Sequence, residues 1–156
     1  MIALSIPGSG DLKLKYIVLD FNGTLAQDGI LIAGVRKRLK VLAARIEIHV
    51  LTADTYGTAQ KALKGCPCNV SIIHPHRQDL AKARYVKRLG TKQTAAIGNG
   101  LNDSRMLKEA ALGIAVIQGE GAALRTLLEA DIVSTDIRMA LGLLLNPLRL
   151  TATLRK

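Results

Sequence analysis

Three short stretches end an apolar run in acids, amides or a hydroxyl. "YIVLDFNGT" reaches Asp20 and continues through Asn22, Gly23 and Thr24; "IHVLTAD" reaches Thr52; "AIGNGLNDS" carries Asn99, Asn102 and Asp103. A carboxylate at a strand end is fixed in position yet can face solvent, and it can attack phosphorus to form an aspartyl phosphate. Asp20 has that setting. Gly23 allows a tight turn and close backbone approach to a ligand. Thr52, with the backbone N–H groups that begin at Ala53, has the makings of an anion site. Lys82 could reach the same phosphate as a point charge. Asn99 and Asp103 are oxygen donors four positions apart across a strand-to-helix turn, with Gly98 and Gly100 to make the turn tight. Mg²⁺ takes oxygen ligands and commonly one or two carboxylates, a demand that Asp20 and Asp103 would meet.

Each residue also has a plain structural use. Asp20 could close a turn. Thr52 could cap a helix. Lys82 could be a surface lysine, and Asn102-Asp103 could open the helix that follows. Their joint order, each group after an apolar run, favours the chemistry.

The elements that must position them alternate between strand and helix. "IALSI" predicts a strand, "PGSGD" a turn, and "LKLKYIVLD" a strand that passes from alternating to wholly apolar. "LAQDGILIA" predicts a hairpin about Asp28-Gly29. A helix follows with Val35, Leu39, Leu42 and Ala43 on one face. Then come the strand "IEIHVLT", the helix "TYGTAQKALKG" stopped by Gly65, and the strand "NVSIIH". The helix "RQDLAKARYVKRLG", the strand "TAAIG", the helix "NDSRMLKEA", the strand "GIAVIQ", the helix "GAALRTLLEA" and the strand "DIVS" continue the series. "DIRMALGLLLN" and "PLRLTATLRK" close it as two helices. This order predicts an α/β fold of three layers, a mostly parallel sheet covered by helices on both faces. Such sheets bind ligands at the carboxyl ends of their strands, where the polar stretches fall. The 156 residues fit one domain spanning 1–156.

Composition narrows the function classes. Hydrophobic residues are 49% of the chain and the net charge is +10, which favours a packed core and anionic partners. The basic residues are scattered over several helices and only 3% of residues are aromatic, so nucleic acid ranks last among the partners. Cys66 and Cys68 are too few for a closed zinc site and read as free thiols, suited to a reducing cytoplasm. No secretory leader is visible, and no apolar run approaches the ~18 residues that span a membrane. His49, His74 and His76 read as structural.

"DFNGTLA", "VLTAD", "AKARYVKRLG" and "AIGNGLNDSRMLKEAALGIAV" resemble the four motifs of the haloacid dehalogenase superfamily. The likeness runs from about Tyr16 to Val133. It is nearest to the branch of P-type ATPase phosphorylation domains and their small soluble relatives, on the evidence of "LGIAVIQGEGAA" and "EADIVSTD". The resemblance implies a Rossmann-like core with a β-hairpin flap after the first motif. It makes Asp20 the nucleophile and a Mg²⁺ ligand. Asn22 stands where many family phosphatases carry an acid/base Asp, and its backbone carbonyl would still serve the metal. Thr52, Ala53, Lys82, Gly23 and Asn102 would surround the transferring phosphate. Asp103 would hold Mg²⁺ directly or through water, and Asn99 replaces an Asp usual between the two glycines. The gaps between motifs leave no room for a cap domain.

The expectation is therefore a Mg²⁺-dependent phosphohydrolase or phosphotransferase acting on a phosphorylated small molecule. It should be slow because Asn22 cannot exchange a proton. The alternative is a phosphate- or metabolite-binding module with little or no turnover. The open site and the apolar "LGLLLNPLRL" suggest a homo-oligomer in which a neighbouring subunit serves as lid.

Overall fold

The computed structural model describes residues 1–54 and 57–156. The chain opens with an antiparallel hairpin, β1 (Ile2–Ile6) and β2 (Gly10–Leu14). β3 (Tyr16–Asp20) enters the main sheet, and β4 (Ala26–Gln27) with β5 (Ile30–Leu31) forms a small flap. Asp28 and Gly29 both have positive φ, 51° and 76°, as a two-residue hairpin turn requires. Next come α1 (Val35–Ala43), β6 (Glu47–Thr52), α2 (Thr58–Ala62) and β7 (Asn69–Ile72). They are followed by α3 (Gln78–Leu89), β8 (Thr94–Gly98), α4 (Ser104–Glu109) and β9 (Leu112–Val116). α5 (Leu124–Leu128), β10 (Ile132–Ser134), α6 (Ile137–Leu145) and α7 (Pro147–Leu154) complete the order.

Six strands pair in parallel in the order β10-β9-β8-β3-β6-β7. A parallel sheet must be covered on both faces, and the strand side chains divide accordingly. Ile17, Leu19, Ile48, Val50 and Ile97 belong to a large core with Val35, Leu39 and Leu42 of α1 and Ile137, Leu141 and Leu144 of α6. Val18, Leu51 and Ala96 face the other way, into a smaller core with Val86 of α3 and Met106 and Leu107 of α4. The three-layer α/β architecture expected from the sequence is the one observed. Between β3 and β6 the described residues form only the flap and α1, and between β6 and β7 only α2, so no cap domain interrupts the core.

Three local details differ from the sequence reading. "LKLKYIVLD" is two strands in two sheets: Lys15 separates them, and alternation in β2 (Leu12 and Leu14 buried) changes to the fully buried run of β3. Of the helix expected over 55–65, the described residues form Thr58–Ala62, with Gly57 at positive φ before it. Thr55 and Tyr56, which that helix would have included, lie outside the described residues. The run "LGLLLNPLRL" turns Leu141, Leu144 and Leu150 into the core and leaves Leu148 outside, so it does not form the broad apolar surface that suggested an oligomer.

Candidate active site

Strand order reverses between β3 and β8, which are neighbours in the sheet although α1, β6, α2, β7 and α3 separate them in sequence. Loops leaving such neighbours diverge and open a crevice at their carboxyl ends. Asp20 ends β3, and Gly98 ends β8 with Asp103 just beyond it.

Lys82 of α3 points into this crevice and is fully buried. Its Nζ lies 2.5 Å from Asp20 Oδ1 and 2.6 Å from Asp103 Oδ1. A buried ammonium is strongly unfavourable unless paired, and here it has two carboxylates. Burial opposes its charge, but Asp20 and Asp103 outweigh that and hold its pKa above the ordinary lysine value. Burial first, and the Asp103 carboxylate second, push the Asp20 carboxyl up to about 6, against the pull of Lys82. The other oxygen of Asp103 accepts the backbone N–H groups of Asn99 (3.0 Å) and Gly100 (2.9 Å). Asp103 is thus the fixed anchor of Lys82 and of its own loop. Gly98 makes room for it: a Cβ there would sit 2.6 Å from Asp103 Cβ.

The second oxygen of Asp20 meets Thr24, whose Oγ1 lies 3.1 Å from Asp20 Oδ2 and 3.1 Å from Asn99 Oδ1. The Asn99 amide is oriented by its Nδ2, which donates to the Gly121 carbonyl at 3.0 Å. A hydroxyl has one hydrogen, so it cannot serve both acceptors fully. Oxygen atoms outnumber donors at this point, and the set is chemically suited to a hard divalent cation. Gly23 lies directly beneath Asn99: its φ is 78°, and a Cβ would come within 2.8 Å of Asn99 Cγ. Its N–H is already donated to Ala26 at 2.8 Å, and it does not border the cleft, so it shapes the loop instead of offering a free donor.

A cleft of about 320 Å³ opens above these groups, bordered by Asp20, Asn22, Thr52, Ala53, Asn99 and Asn102. Of the residues singled out in the sequence, these six and Gly100 border it, while Lys82 and Asp103 lie beneath Asp20. Thr52 is buried, its Oγ1 accepts the N–H of Asp54 at 3.1 Å, and its own hydrogen has no acceptor among the described residues. Asp54, not Thr52, meets the first turn of α2: it has φ 37° and its carboxylate accepts the N–H of Ala59 at 2.9 Å. The Asn22 side chain is exposed at the rim.

Several participants escaped the sequence reading. Thr24 bridges the two loops. Gln78 and Glu120 border the cleft, and Gln78 accepts from Asn102 Nδ2 at 2.8 Å. Gln118 donates to the carbonyls of Gly23 (3.1 Å) and Thr24 (2.9 Å) and accepts from Ile137 N–H at 2.8 Å, tying the first loop to α6. The Gly-rich turn after "GIAVIQ" was a visible trace of this, but no spacing singled out the glutamine. His74 and His76 stack on each other in the open, and His49 is buried against Tyr85, 3.0 Å from its hydroxyl. Cys66 and Cys68 are free thiols just before β7, and burial pushes Cys68 up to about 11. No helix among the described residues is long and apolar enough to cross a membrane.

Comparison with known proteins agrees with this architecture. Residues 77–133 match the haloacid dehalogenase-like hydrolase family. An uncharacterized protein of Methanocaldococcus jannaschii is 49% identical over 82 residues, covering 50% of this chain and 88% of that protein. The copper-transporting ATPase ccc2 of Schizosaccharomyces pombe is 32% identical over 89 residues, 56% of this chain but 10% of the transporter. Among solved structures, 3-deoxy-D-manno-octulosonate 8-phosphate phosphatase from Moraxella catarrhalis, in complex with magnesium ion, phosphate ion and KDO, superposes with a TM-score of 0.69. It is 19% identical and the match covers 85% of this chain and 86% of that one, a likeness of fold. With its sheet order, its paired aspartates on a buried lysine and these matches, the chain belongs to the haloacid dehalogenase-like hydrolases.

Proposed function

We propose that the protein is a divalent-cation-dependent phosphohydrolase or phosphotransferase acting through an aspartyl phosphate on Asp20, with residues 1–156 working as one domain. The observation that carries this reading is Lys82, fully buried and held 2.5 Å from Asp20 and 2.6 Å from Asp103. That arrangement fixes one oxygen of Asp20, the other meets the Thr24 hydroxyl, and the residue borders the cleft.

In the first step an Asp20 oxygen attacks phosphorus, the bond to the leaving oxygen breaks, and that oxygen takes a proton from solvent. Asn22 has no proton to give, so good leaving groups such as aryl or acyl phosphates should react best. Thr52 Oγ donates to the phosphoryl oxygens, and the Ala53 N–H and Asn102 stand at the same wall. Lys82 neutralises charge from below. In the second step water attacks phosphorus, phosphate leaves, Asp20 regains its carboxylate and the water's proton passes to solvent. A bound Mg²⁺ would supply the positive charge that brings phosphate dianion and carboxylate together. Asp20 and Asn99 offer it side-chain oxygens, the Asn22 carbonyl is the third donor expected from the family pattern, and Asp103 would reach it through water because its own oxygens already hold three donors. The structural relative in complex with magnesium and phosphate supports this choice of ion.

The test is Mg²⁺-dependent release of an aryl alcohol from its phosphate, with acid-stable trapping of phosphate on Asp20. Equal rates for wild type and Asp20→Asn would reject the nucleophile. A second reading, phosphate binding without turnover, is favoured by the exposed Asn22 at the position of the proton relay. Phosphate or beryllofluoride binding with no product from any phosphate ester would support it instead. The similarity to the copper-transporting ATPase favours the soluble P-type ATPase-like branch, and a second copy of the chain as lid over the open cleft completes the proposal.

A further inference from the structure

A second depression of about 550 Å³ lies beside the cleft and shares Gln78 and Asn102 with it. Those two side chains are hydrogen-bonded to each other at 2.8 Å, so together they form the partition between the two spaces. Three exposed arginines border the second space: Arg77 just ahead of α3, Arg105 of α4 and Arg125 of α5. It contains one carboxylate, Asp79, and that is taken by Arg105 at 2.8 Å. Arg77 and Arg125 have no ion pair among the described residues.

Two further features point the same way. Arg77 has φ 56°, a conformation that costs a non-glycine residue free energy and is kept where the surroundings impose it. It stands at the start of the 12-residue helix α3, whose first N–H groups lack intrahelical acceptors and carry the positive end of the helix dipole. Leu101, 60% exposed, and Pro75 also border the depression and add apolar surface to it.

We propose that this depression receives a second anionic group carried on the leaving group of the substrate, a carboxylate or a second phosphate. The substrates are then small phosphomonoesters with two anionic ends, the transferred phosphate over Asp20 and the other between Arg77 and Arg125. The inference rests on the phosphoryl-transfer reading of the neighbouring cleft and names its substrate class. Guanidinium groups bind both carboxylate and phosphate in forked geometry, and the two sources are separated by experiment.

Binding is measured by titration calorimetry on the Asp20→Asn protein, which removes turnover. One pair of probes is fructose 6-phosphate and fructose 1,6-bisphosphate; the other is glycerol 3-phosphate and 3-phosphoglycerate. The second anion should tighten binding about tenfold or more in at least one pair, as charge-assisted bonds to arginine predict, and the pair that responds identifies the anion. Adding Arg77→Gln and Arg125→Gln should abolish the preference and leave the singly anionic probe unchanged, with circular dichroism confirming the fold. No preference, a preference that survives both substitutions, or no binding of any probe would overturn the proposal. Aryl phosphate turnover by the wild-type protein is scored separately: turnover without a preference removes this inference alone, and a preference without turnover removes the phosphohydrolase reading alone.

Discussion

The loop after β3 and the loop after β8 each present an asparagine where the family pattern favours an acid, and the two amides meet different surroundings. Asn99 is 7% exposed, oriented by the Gly121 carbonyl on one side and met by the Thr24 hydroxyl on the other. An aspartate in its place would set a carboxylate oxygen against that carbonyl. Asn22 is exposed, and its amide has no hydrogen-bond partner among the described residues. The first asparagine is built into the fold, whereas the second alters only the chemistry at the rim.

Both stand around Asp20, and the largest effect belongs there. Asp20→Asn should lower turnover at least about 10³-fold, as removal of a nucleophile does, in a steady-state aryl phosphate assay. Lys82→Met should leave two buried carboxylates facing each other and cost about 3–5 kcal/mol of stability, read as a fall in thermal midpoint that added Mg²⁺ partly reverses. Asn22→Asp is the direct trial of the exposed position. It should raise turnover by roughly 10²-fold, the low end for general acid/base catalysis, with stability changed by less than about 0.5 kcal/mol. A loss of stability instead would erase the contrast between the two loops. Asn99→Asp should cost about 1–3 kcal/mol in metal-free protein through the lost bond to Gly121, and should gain more from Mg²⁺ than wild type does. An unchanged thermal midpoint would show that the amide is not needed there.

The smallest effect is a pH dependence in the metal-free protein. The Asp20 carboxyl is raised in the folded state to about 6, from 3.8. Its contribution to stability is therefore complete below 3.8 and lost as pH rises through about 6. The thermal midpoint should fall slightly between pH 5 and pH 7, a trend that Asp20→Asn should flatten, as differential scanning calorimetry can show.

Much of this site was legible in the sequence because strands buried on both faces are continuous apolar runs, and their ends can be read directly. Asp20, Thr52 and the "GNGLND" loop fell out of that rule, and Lys82 followed from the family pattern. The arrangement of the sheet was legible too, since alternating strand and helix leave few alternatives to a parallel core. What stayed hidden depends on two loops meeting. Thr24 reads as an ordinary turn residue until Asn99 stands opposite it. Gln118 reads as a polar residue after a strand until its amide spans the first loop and α6. Arg77 and Arg125 are two of 22 basic residues in the sequence, and only folding brings them to the border of one depression. The break at Lys15 was invisible for a different reason: both sides of it are good strand, and only the change of sheet separates them.

Gly23 and Gly98 carry no functional group, yet Asn99 occupies the space over one and Asp103 the space over the other. In a scan of every substitution scored by activity, these two positions should be as intolerant as Asp20 and Lys82, and a reader of that scan would count them among the catalytic residues. Scoring protein abundance in the same scan separates the classes: side chains at the glycines deplete the protein itself, while Asp20→Asn accumulates as a well-folded, silent form.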